Sequence, residues 1–315
     1  MILSVCPNPA WDLTWSLERL QRGETLRVSP ASSRAGGKAV NVARVLHARG
    51  HHTSVIAPLG GDGRSLFEND LRRAGIAYTA VPSRAQLRLT AAVVETATSE
   101  VTLLTEPGGP LSDDESAALV AAVTAQLPHT AALVISGSLP AGIGPEFVTT
   151  LVHAAHARGV PVVADLQGDA LRAAASAGAD AVKPNRAELA AAVGHSRLLD
   201  GMNELLECGA GTVFCSLGAD GLVSADGCSA PRRGWLDGPL TGNATGAGDA
   251  AVAAIAAGLA GGVTDPQHLL RAACAWSAAA VAAPAAGDSD AALSERLALR
   301  VHIDSIDARF PEELP

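Results

Sequence analysis

Residues 132–165 read ALVISGSLPAGIGPEFVTTLVHAAHARGVPVVAD, and this stretch decides the fold class. It contains an apolar run at 132–136, a helical pattern at 145–158 and a second apolar run at 160–165. Two short apolar runs joined through a helix are typical of neighbouring parallel strands with a crossover connection. The stretch therefore predicts one strand–helix–strand unit of a parallel sheet.

The same rhythm extends through the sequence from residue 112 onward. Further strands are predicted at 180–183 and 212–217, and helical patterns fill the intervals between strands. Repeated helix–strand units predict a doubly wound, mainly parallel sheet with helices on both faces. The helices predicted in this part of the chain lie at 112–127, 145–158, 169–177, 186–208, 247–261 and 266–283.

The first third of the sequence has a different pattern. After an apolar strand at 1–6, polar and apolar residues alternate at 12–17 and 25–28. A β-hairpin is predicted from 87–95 and 101–105, across a polar turn. Because alternation indicates strands with one face exposed, these strands are expected to form a separate small sheet.

Together the two patterns predict an α/β fold in a single domain over residues 1–315. The small sheet would project as a lid, with strands contributed by about 12–33 and 77–106. No linker, low-complexity segment or internal repeat interrupts the sequence.

Charge and composition exclude several classes of function. With 32 acidic and 23 basic residues, the formal charge is −9 and no basic stripe is present, so nucleic acid and anionic membranes are not expected partners. Five cysteines without a C-x-x-C predict neither a disulfide framework nor a zinc site. Because the sequence also lacks a leader pattern and an apolar run long enough to span a membrane, we expect a cytoplasmic protein.

The motif TGNATGAGDAA at 241–251 carries the first chemical signal. Gly246, Ala247 and Gly248 leave the backbone bare where a helix should begin, and the N–H groups of a helix N-terminus can bind an anion. Asp249 follows in the first turn. A carboxylate beside a bound phosphate is unfavourable unless it handles a proton. The alternative is a glycine turn followed by an acidic residue in the first turn of the helix.

The motif AGGKAVN at 35–41 suits a polyol. Gly37 permits close backbone approach, and Lys38 and Asn41 lie three positions apart on one face of the predicted helix. The alternative is a helix that begins at glycine and carries a solvated lysine. Lys38 and Lys183 are the only lysines among the 23 basic residues, and arginine cannot replace lysine where a compact charge is needed.

The motif KPNRAEL at 183–189 has two interpretations. Asn185 as N-cap and Glu188 three residues later form the pattern of a capping box. The same amide oxygen and carboxylate would lie at the carboxyl end of a parallel strand, where doubly wound folds bind ligands. Such a pair can orient hydrated magnesium. The residues alone leave both interpretations open.

Seven motifs together resemble the ribokinase-like carbohydrate kinases of the phosphofructokinase B type. In chain order they are NPAWD, AGGKAVNVAR, GGDG, SGSLPAG, KPNRAEL, SLGADG and ATGAGDA. The nearest branch is that of the 1-phosphofructokinases and tagatose-6-phosphate kinases, in which asparagine, here Asn243, replaces the aspartate of D-T-x-G-A-G-D. The resemblance implies a ribokinase-like fold, ATP and Mg²⁺ as cofactors, and a β-lid through which a homodimer can form.

The resemblance also implies a role for each matching residue. Asp249 would be the base that takes the proton of the sugar hydroxyl, and the amides at 246–248 would hold the γ-phosphoryl group. Asn185 and Glu188 would position magnesium through water. The other matches are nucleotide contacts at Lys183, Asn185, Ser216, Gly218 and Gly221, sugar contacts at Asp12, Gly37, Lys38 and Asn41, and contacts to the substrate's own phosphate at Arg27, Arg88 and Ser138.

The sequence therefore predicts an ATP-dependent kinase that converts a ketohexose phosphate to the bisphosphate. The candidate substrates are fructose 1-phosphate, tagatose 6-phosphate and fructose 6-phosphate. Trp11, beside Asp12, departs from the branch pattern and bears on the identity of the sugar. Two alternatives remain: a kinase of an unphosphorylated sugar or nucleoside, and a sugar- or nucleotide-binding protein without catalysis.

Overall fold

The structure is a computed structural model that describes residues 1–98, 100–238, 244–283 and 286–306. Its strands are β1 (Ile2–Val5), β2 (Ala10–Leu17), β3 (Ser32–Gly36), β4 (Thr53–Leu59), β5 (Ala77–Pro82), β6 (Arg88–Glu95), β7 (Val101–Thr105), β8 (Ala132–Ser136), β9 (Val162–Asp165), β10 (Ala181–Val182), β11 (Thr212–Ser216), β12 (Leu222–Ala225), β13 (Arg232–Trp235) and β14 (His302–Ser305). Its helices are α1 (Lys38–Ala48), α2 (Gly63–Arg73), α3 (Asp113–Gln126), α4 (Glu146–His156), α5 (Gly168–Ser176), α6 (Arg186–Val193), α7 (Leu198–Cys208), α8 (Ala247–Ala260), α9 (Pro266–Val281) and α10 (Ala291–Ala298).

The main sheet of the described chain has ten strands in the order β14-β13-β12-β11-β10-β9-β8-β1-β4-β5. The strands from β11 to β5 run parallel, and β12, β13 and β14 continue the sheet antiparallel. The predicted mainly parallel sheet is therefore confirmed, and so is the α4 crossover between the neighbouring strands β8 and β9. No helix in the described ranges combines the length and apolarity that crossing a bilayer requires.

Alternate residues of the central strands enter two cores, one on each face of the sheet. In β8, Leu133 and Ile135 pack with side chains of α3 to α7, whereas Ala132 and Val134 pack with α1, α8 and α9. Both α8 and α9 are rich in buried alanine, so these helices can lie close to the strands. This packing fixes the N-terminus of α8 over the sheet.

The lid is a separate four-stranded sheet in the order β3-β2-β6-β7. The β6–β7 hairpin is antiparallel, as predicted, and β2 pairs with β6 in parallel. The prediction of a strand at 25–28 is wrong, because residues 25–30 are irregular and mostly exposed. The antiparallel partner of β2 is instead β3, where Ala35 is fully buried. Burial against β2, more than alternation, selects the paired segment.

Strand β5 falls within the range 77–106 that was predicted to supply lid strands, but it belongs to the main sheet. It pairs in parallel with β4 after the chain returns through α2, and Val81 enters the core. The sequence analysis also missed β12, β13, β14 and α10, because these elements are short and their patterns are weak. Asn243, which marks the branch in the sequence, lies outside the described residues.

Candidate active site

Most of the predicted site residues lie near the carboxyl ends of the parallel strands. Side-chain hydrogen bonds join the N-termini of α1, α6 and α8 there, from Lys38 to Glu188 and from Asn41 to Asp249. Helix N-termini carry unsatisfied N–H groups and positive potential. This edge of the sheet is therefore suited to anionic ligands.

Asp165, at the end of β9, connects both lysines of the chain. Its Oδ1 lies 3.3 Å from Lys183 Nζ and its Oδ2 lies 3.4 Å from Lys38 Nζ. Ser136 Oγ donates a hydrogen bond to Oδ2 at 3.1 Å. Burial alone would raise the pKa of this carboxyl, but Lys183 and Lys38 hold it below its ordinary value. Asp165 is therefore a buried anion that fixes two cations.

Asp249 lies in the first turn of α8 and is only 6% exposed. Asn41, on α1, donates a hydrogen bond from Nδ2 to Asp249 Oδ2 at 2.8 Å. Burial and the nearby charge of Asp165 raise the pKa of Asp249 to about 7, against the opposing effects of Lys38 and Asn41. A carboxyl with a pKa near neutral pH is suited to accept a proton and release it again.

Gly246 is the N-cap of α8 and has the left-handed conformation, with φ of 87°. A β-carbon there would lie 2.8 Å from the α-carbon of Ala286, so the turn requires glycine. A β-carbon on Gly248 would lie 3.5 Å from Lys183 Nζ, which places this lysine beneath the turn. The amide of Ala247 donates to the carbonyl of Ala244 at 3.2 Å. One of the three predicted anion-binding amides is therefore already hydrogen-bonded.

The start of α1 brings the lid to the main sheet. Gly37 is the N-cap, with φ of 107°, and a β-carbon there would lie 2.8 Å from Cys6 Sγ. A β-carbon on the preceding Gly36 would overlap the carboxylate of Asp12. Burial raises the pKa of Asp12, and the charges of Arg88 and Arg34 only partly offset this rise. Asp12 therefore lies directly against this glycine pair at the start of α1.

The capping box at the start of α6 is confirmed. Asn185 Oδ1 accepts from the amide of Glu188 at 2.8 Å, and Glu188 Oε2 accepts from the amide of Asn185 at 2.9 Å. The second carboxylate oxygen, Oε1, lies 3.0 Å from Lys38 Nζ. Burial would lower the pKa of Lys38, but Asp165 and Glu188 raise it above its ordinary value.

The oxygen donors at this capping box suit a hard cation. Within the described residues, no group of three or more His, Cys, Asp or Glu side chains is arranged to hold a metal ion. Asn185 is exposed and Glu188 is half-buried, and carboxylate oxygens accept more than one hydrogen bond. These donors fit a magnesium ion that keeps its waters, rather than an all-protein coordination cage.

A cleft of about 250 Å³ lies beside the capping box, lined by Asn185, Arg186, Ser216, Leu217, Gly218 and Asp220. Asn185 and Ser216 form a parallel bridge between adjacent strand ends. Gly221 closes the loop with φ of 92°, and a β-carbon there would collide with the carbonyl of Gly234. Asn185, Ser216 and Gly218 are thus brought together, whereas Lys183 is buried below α8.

Arg88 and Ser138 are linked through Asn8. Arg88 Nε donates to the carbonyl of Asn8 at 3.2 Å, and Asn8 Nδ2 donates to Ser138 Oγ at 3.0 Å. Arg27, by contrast, lies in the exposed irregular segment 25–30. The structure therefore joins two of the three residues predicted to contact the substrate's own phosphate.

Two site residues were missed by the sequence analysis as functional candidates. Asp165 ends a predicted parallel strand, and an acidic residue at that edge was an available signal. Asn8 belongs to the NPAWD motif, but its hydrogen bonds reach residues distant in the sequence, such as Pro107 and Ser138. No local pattern indicates such contacts.

Comparisons of the sequence and of the structure with known proteins all find carbohydrate kinases. The model of the pfkB family carbohydrate kinases matches residues 8–292. The 1-phosphofructokinase of Xanthomonas campestris is 34% identical over 286 residues, which cover 87% of this chain and 89% of that protein. The ATP-dependent 6-phosphofructokinase isozyme 2 of Mycobacterium tuberculosis is 30% identical over 268 residues, which cover 83% and 78%. Phosphofructokinase-2 of Escherichia coli, solved in complex with fructose-6-phosphate, is similar in structure with a TM-score of 0.83 at 26% identity, covering 95% of this chain and 98% of that chain.

Proposed function

Because the chain belongs to the pfkB family of carbohydrate kinases, we propose that it transfers the γ-phosphoryl group of ATP to a ketohexose phosphate and forms the bisphosphate. The candidate acceptors are fructose 1-phosphate, tagatose 6-phosphate and fructose 6-phosphate. Fructose 1-phosphate is the first to test, since the Xanthomonas relative is a 1-phosphofructokinase. The observation that carries the proposal is the buried Asp249 carboxyl in the first turn of α8, beside the bare backbone of the glycine turn.

Asp249 is the base in this mechanism. The acceptor hydroxyl gives its proton to this carboxylate as its oxygen attacks the γ-phosphorus, and the bond to the β-phosphate oxygen of ATP breaks. Asn41 fixes the carboxylate by its hydrogen bond to Oδ2. Because a pKa of about 7 leaves much of Asp249 ionised at neutral pH, the group can accept the proton without being permanently protonated.

The N-terminus of α8 stabilises the charge that spreads over the transferred phosphoryl group. The second and third residues of a helix have N–H groups without a partner inside the helix, and here these residues are Gly248 and Asp249. Lys183 lies below this turn and adds positive charge. Preorganised hydrogen-bond donors of this kind stabilise the charge that develops in the transition state, and in a site that excludes water this effect strongly increases the reaction rate.

Asn185 and Glu188 would hold the magnesium ion through its water molecules. The ion would neutralise charge on the phosphates of ATP. Lys38 lies between Glu188 and Asp165, so its ammonium group is fixed beside the magnesium position and the sugar position. Its three N–H donors suit both sugar oxygens and phosphate oxygens.

The lid supplies the contacts to the sugar phosphate. Asp12 faces the site, whereas Trp11, one position earlier on β2, packs into the apolar cluster around Val40 and Phe67. Successive side chains of a strand point to opposite faces, so the unusual tryptophan is turned away from the sugar. We assign the phosphate of the substrate to Arg88 and Ser138, and to Arg27 if the segment 25–30 folds over the bound ligand.

The variant Asp249→Asn tests the proposed base. The amide cannot accept the proton but still accepts the hydrogen bond from Asn41, so kcat is expected to fall by about 10²- to 10⁴-fold, with the Kd of ATP changed little. Release of ADP measures the first quantity and calorimetric titration with a non-hydrolysable ATP analogue measures the second. Near-normal turnover would contradict the assignment.

The variant Arg88→Ala tests whether the acceptor carries a phosphate. The KM for the sugar phosphate is expected to rise by about 10- to 100-fold, because a charge-assisted contact is lost, while the KM for ATP stays unchanged. The assay compares the three phosphorylated ketohexoses with fructose and tagatose. Efficient turnover of an unphosphorylated sugar, with no effect of the substitution, would favour the kinase of a neutral sugar or nucleoside.

A further inference from the structure

Residues 286–288 connect three parts of the proposed site. Gly287 packs against α1, where a β-carbon on it would lie 3.2 Å from the α-carbon of Asn41. On its other side, a β-carbon on Gly246 would lie 2.8 Å from the α-carbon of Ala286 and 3.0 Å from the amide nitrogen of Gly287. The segment therefore touches both the turn that begins α8 and helix α1, whose Asn41 donates a hydrogen bond to Asp249.

Arg34 ties this segment to the lid. It lies on β3, directly opposite Asp12 in the β2–β3 register. Its Nη1 donates to Asp288 Oδ1 at 3.0 Å, and its Nη2 donates to the carbonyl of Ala286. The Arg34 side chain is 19% exposed and that of Asp288 is 41% exposed, so most of the guanidinium is withdrawn from water. One side chain thus holds a lid strand and the loop behind the glycine turn together.

A second arginine, Arg44, holds β3 and α1 together beside the segment 286–288. Arg44, on α1, pairs with Asp70 and donates to the carbonyl of Ala35 at 3.2 Å, and Asp70 accepts from the amide of Ala35 at 2.9 Å. A β-carbon on Gly287 would lie within 3.2 Å of the Arg44 side chain. Because β3, α1 and the segment 286–288 are held against one another, displacement of the lid strand must displace the loop or break the Arg34 contacts.

We propose that Arg34 is a positioning residue that couples binding of the sugar phosphate under the lid to the conformation of the nucleotide-facing turn at Gly246. This inference rests on the proposed function, since it concerns the same two substrates. The path runs from Asp12 and β3 through Arg34 to residues 286–288, and from there to Gly246 and Asn41. Its consequence is that each substrate raises the affinity for the other.

Arginine suits this role because its planar fork reaches two acceptors at once. Lysine has a single ammonium group on a flexible stem, so Arg34→Lys can keep the ion pair with Asp288 or the bond to Ala286, but not both in the same geometry. Arg34→Gln removes the charge. The series Arg, Lys, Gln should therefore reduce the coupling stepwise.

The experiment measures coupling directly. The Kd of a non-hydrolysable ATP analogue is determined by calorimetry with and without saturating fructose 1-phosphate, with fructose 6-phosphate in a parallel titration. In the parent protein the sugar phosphate should tighten nucleotide binding about 5-fold or more. In Arg34→Gln the sugar phosphate should tighten nucleotide binding by less than about 2-fold. Arg34→Lys should give a value between those of the parent and of Arg34→Gln. The Kd of the nucleotide alone should change little.

Kinetics give a second measure that a purely structural role would not produce. Misplacement of the α8 turn should lower kcat about 10- to 100-fold in Arg34→Gln, with smaller changes in either KM. Asp288→Asn should lose part of the coupling, and the double variant should lose no more than Arg34→Gln alone, because both changes remove one interaction. Arg197→Gln, which removes a surface pair with Asp200 on α7, is the matched control and should behave as the parent.

The outcomes separate the two proposals. If the parent protein phosphorylates none of the sugars tested, the proposed function fails. If the parent is a kinase but shows no coupling, or if Arg34→Gln retains it, the inference about Arg34 is overturned and the function stands. Should Arg34→Gln not fold, unchanged coupling in both Arg34→Lys and Asp288→Asn overturns the inference equally.

Discussion

Asp165 and Asp249 show how two carboxyls at one site acquire opposite properties. Asp165 contacts both lysines and a hydroxyl, so its charged form is stabilised. Asp249 is buried with one amide donor and feels the negative charge of Asp165. The pKa of one is therefore lowered and that of the other raised. Such divergence is typical of a pair in which one carboxyl orders the site and the other moves a proton.

This arrangement predicts the pH dependence of the reaction. Asp249 must be ionised to act as a base. The pH–rate profile should therefore have an acidic limb, in which kcat/KM rises with pH and levels off above about pH 7. Lys38 stabilises the ionised form, so Lys38→Gln should move the limb to higher pH, whereas Lys38→Arg should leave it nearly in place. Asp165 disfavours the ionised form, so Asp165→Asn should move the limb to lower pH. Complete pH–rate profiles of the three variants test these directions.

Shifts in the same direction for Lys38→Gln and Asp165→Asn would contradict the assignment of the limb to Asp249. Asp165→Asn should also destabilise the fold by about 3–5 kcal/mol, because it leaves buried Lys183 without its carboxylate partner. Thermal unfolding of each variant therefore accompanies the kinetics, so that loss of folded protein is not mistaken for loss of activity.

At the level of elements, the start of α6 serves two purposes. The capping box satisfies the backbone of the helix N-terminus, and the same Glu188 presents its second oxygen to Lys38. The structural and the functional interpretations of KPNRAEL are therefore compatible. A stable cap holds the carboxylate where it can also meet a hydrated cation.

Glu188→Gln separates these two purposes. Glutamine also completes a capping box, so the melting temperature should stay within a few degrees of the parent value. Loss of the negative charge should raise the Mg²⁺ concentration required for half-maximal activity by about 10- to 100-fold. Magnesium titrations of the initial rate measure this effect. An unchanged Mg²⁺ requirement would assign Glu188 to helix capping and the Lys38 contact alone.

At the scale of the molecule, one face of the lid forms an exposed apolar surface. Register and alternation place Asp12, Thr90 and Arg34 on one face of the small sheet, towards the site. The opposite face carries Leu13, Trp15, Leu17, Leu89, Val93 and Leu104, all partly or largely exposed. An apolar face of this kind is typical of an interaction surface. We therefore propose that two copies of the chain pair through their lids.

Leu104→Glu tests this pairing. Leu104 is 63% exposed, so the substitution should leave the monomer folded but introduce a charge at the proposed interface, and the protein should sediment as a monomer. Leu299→Glu is the matched control, because Leu299 is 89% exposed and lies after α10, outside the lid. A parent protein that sediments as a monomer, or a dimer that survives Leu104→Glu, would contradict the proposal.

Local apolar periodicity and the positions of glycines were enough to predict the α/β alternation, the hairpin β6–β7 and most of the helices. The sequence also placed Asp249 beside a glycine turn, since both belong to one motif. The folded structure was needed to show that Lys38 and Lys183 share Asp165, that β5 belongs to the main sheet, and that Arg34 reaches residues 286–288. These features join residues far apart in the chain, and their geometry follows from strand order and packing, which local patterns do not encode.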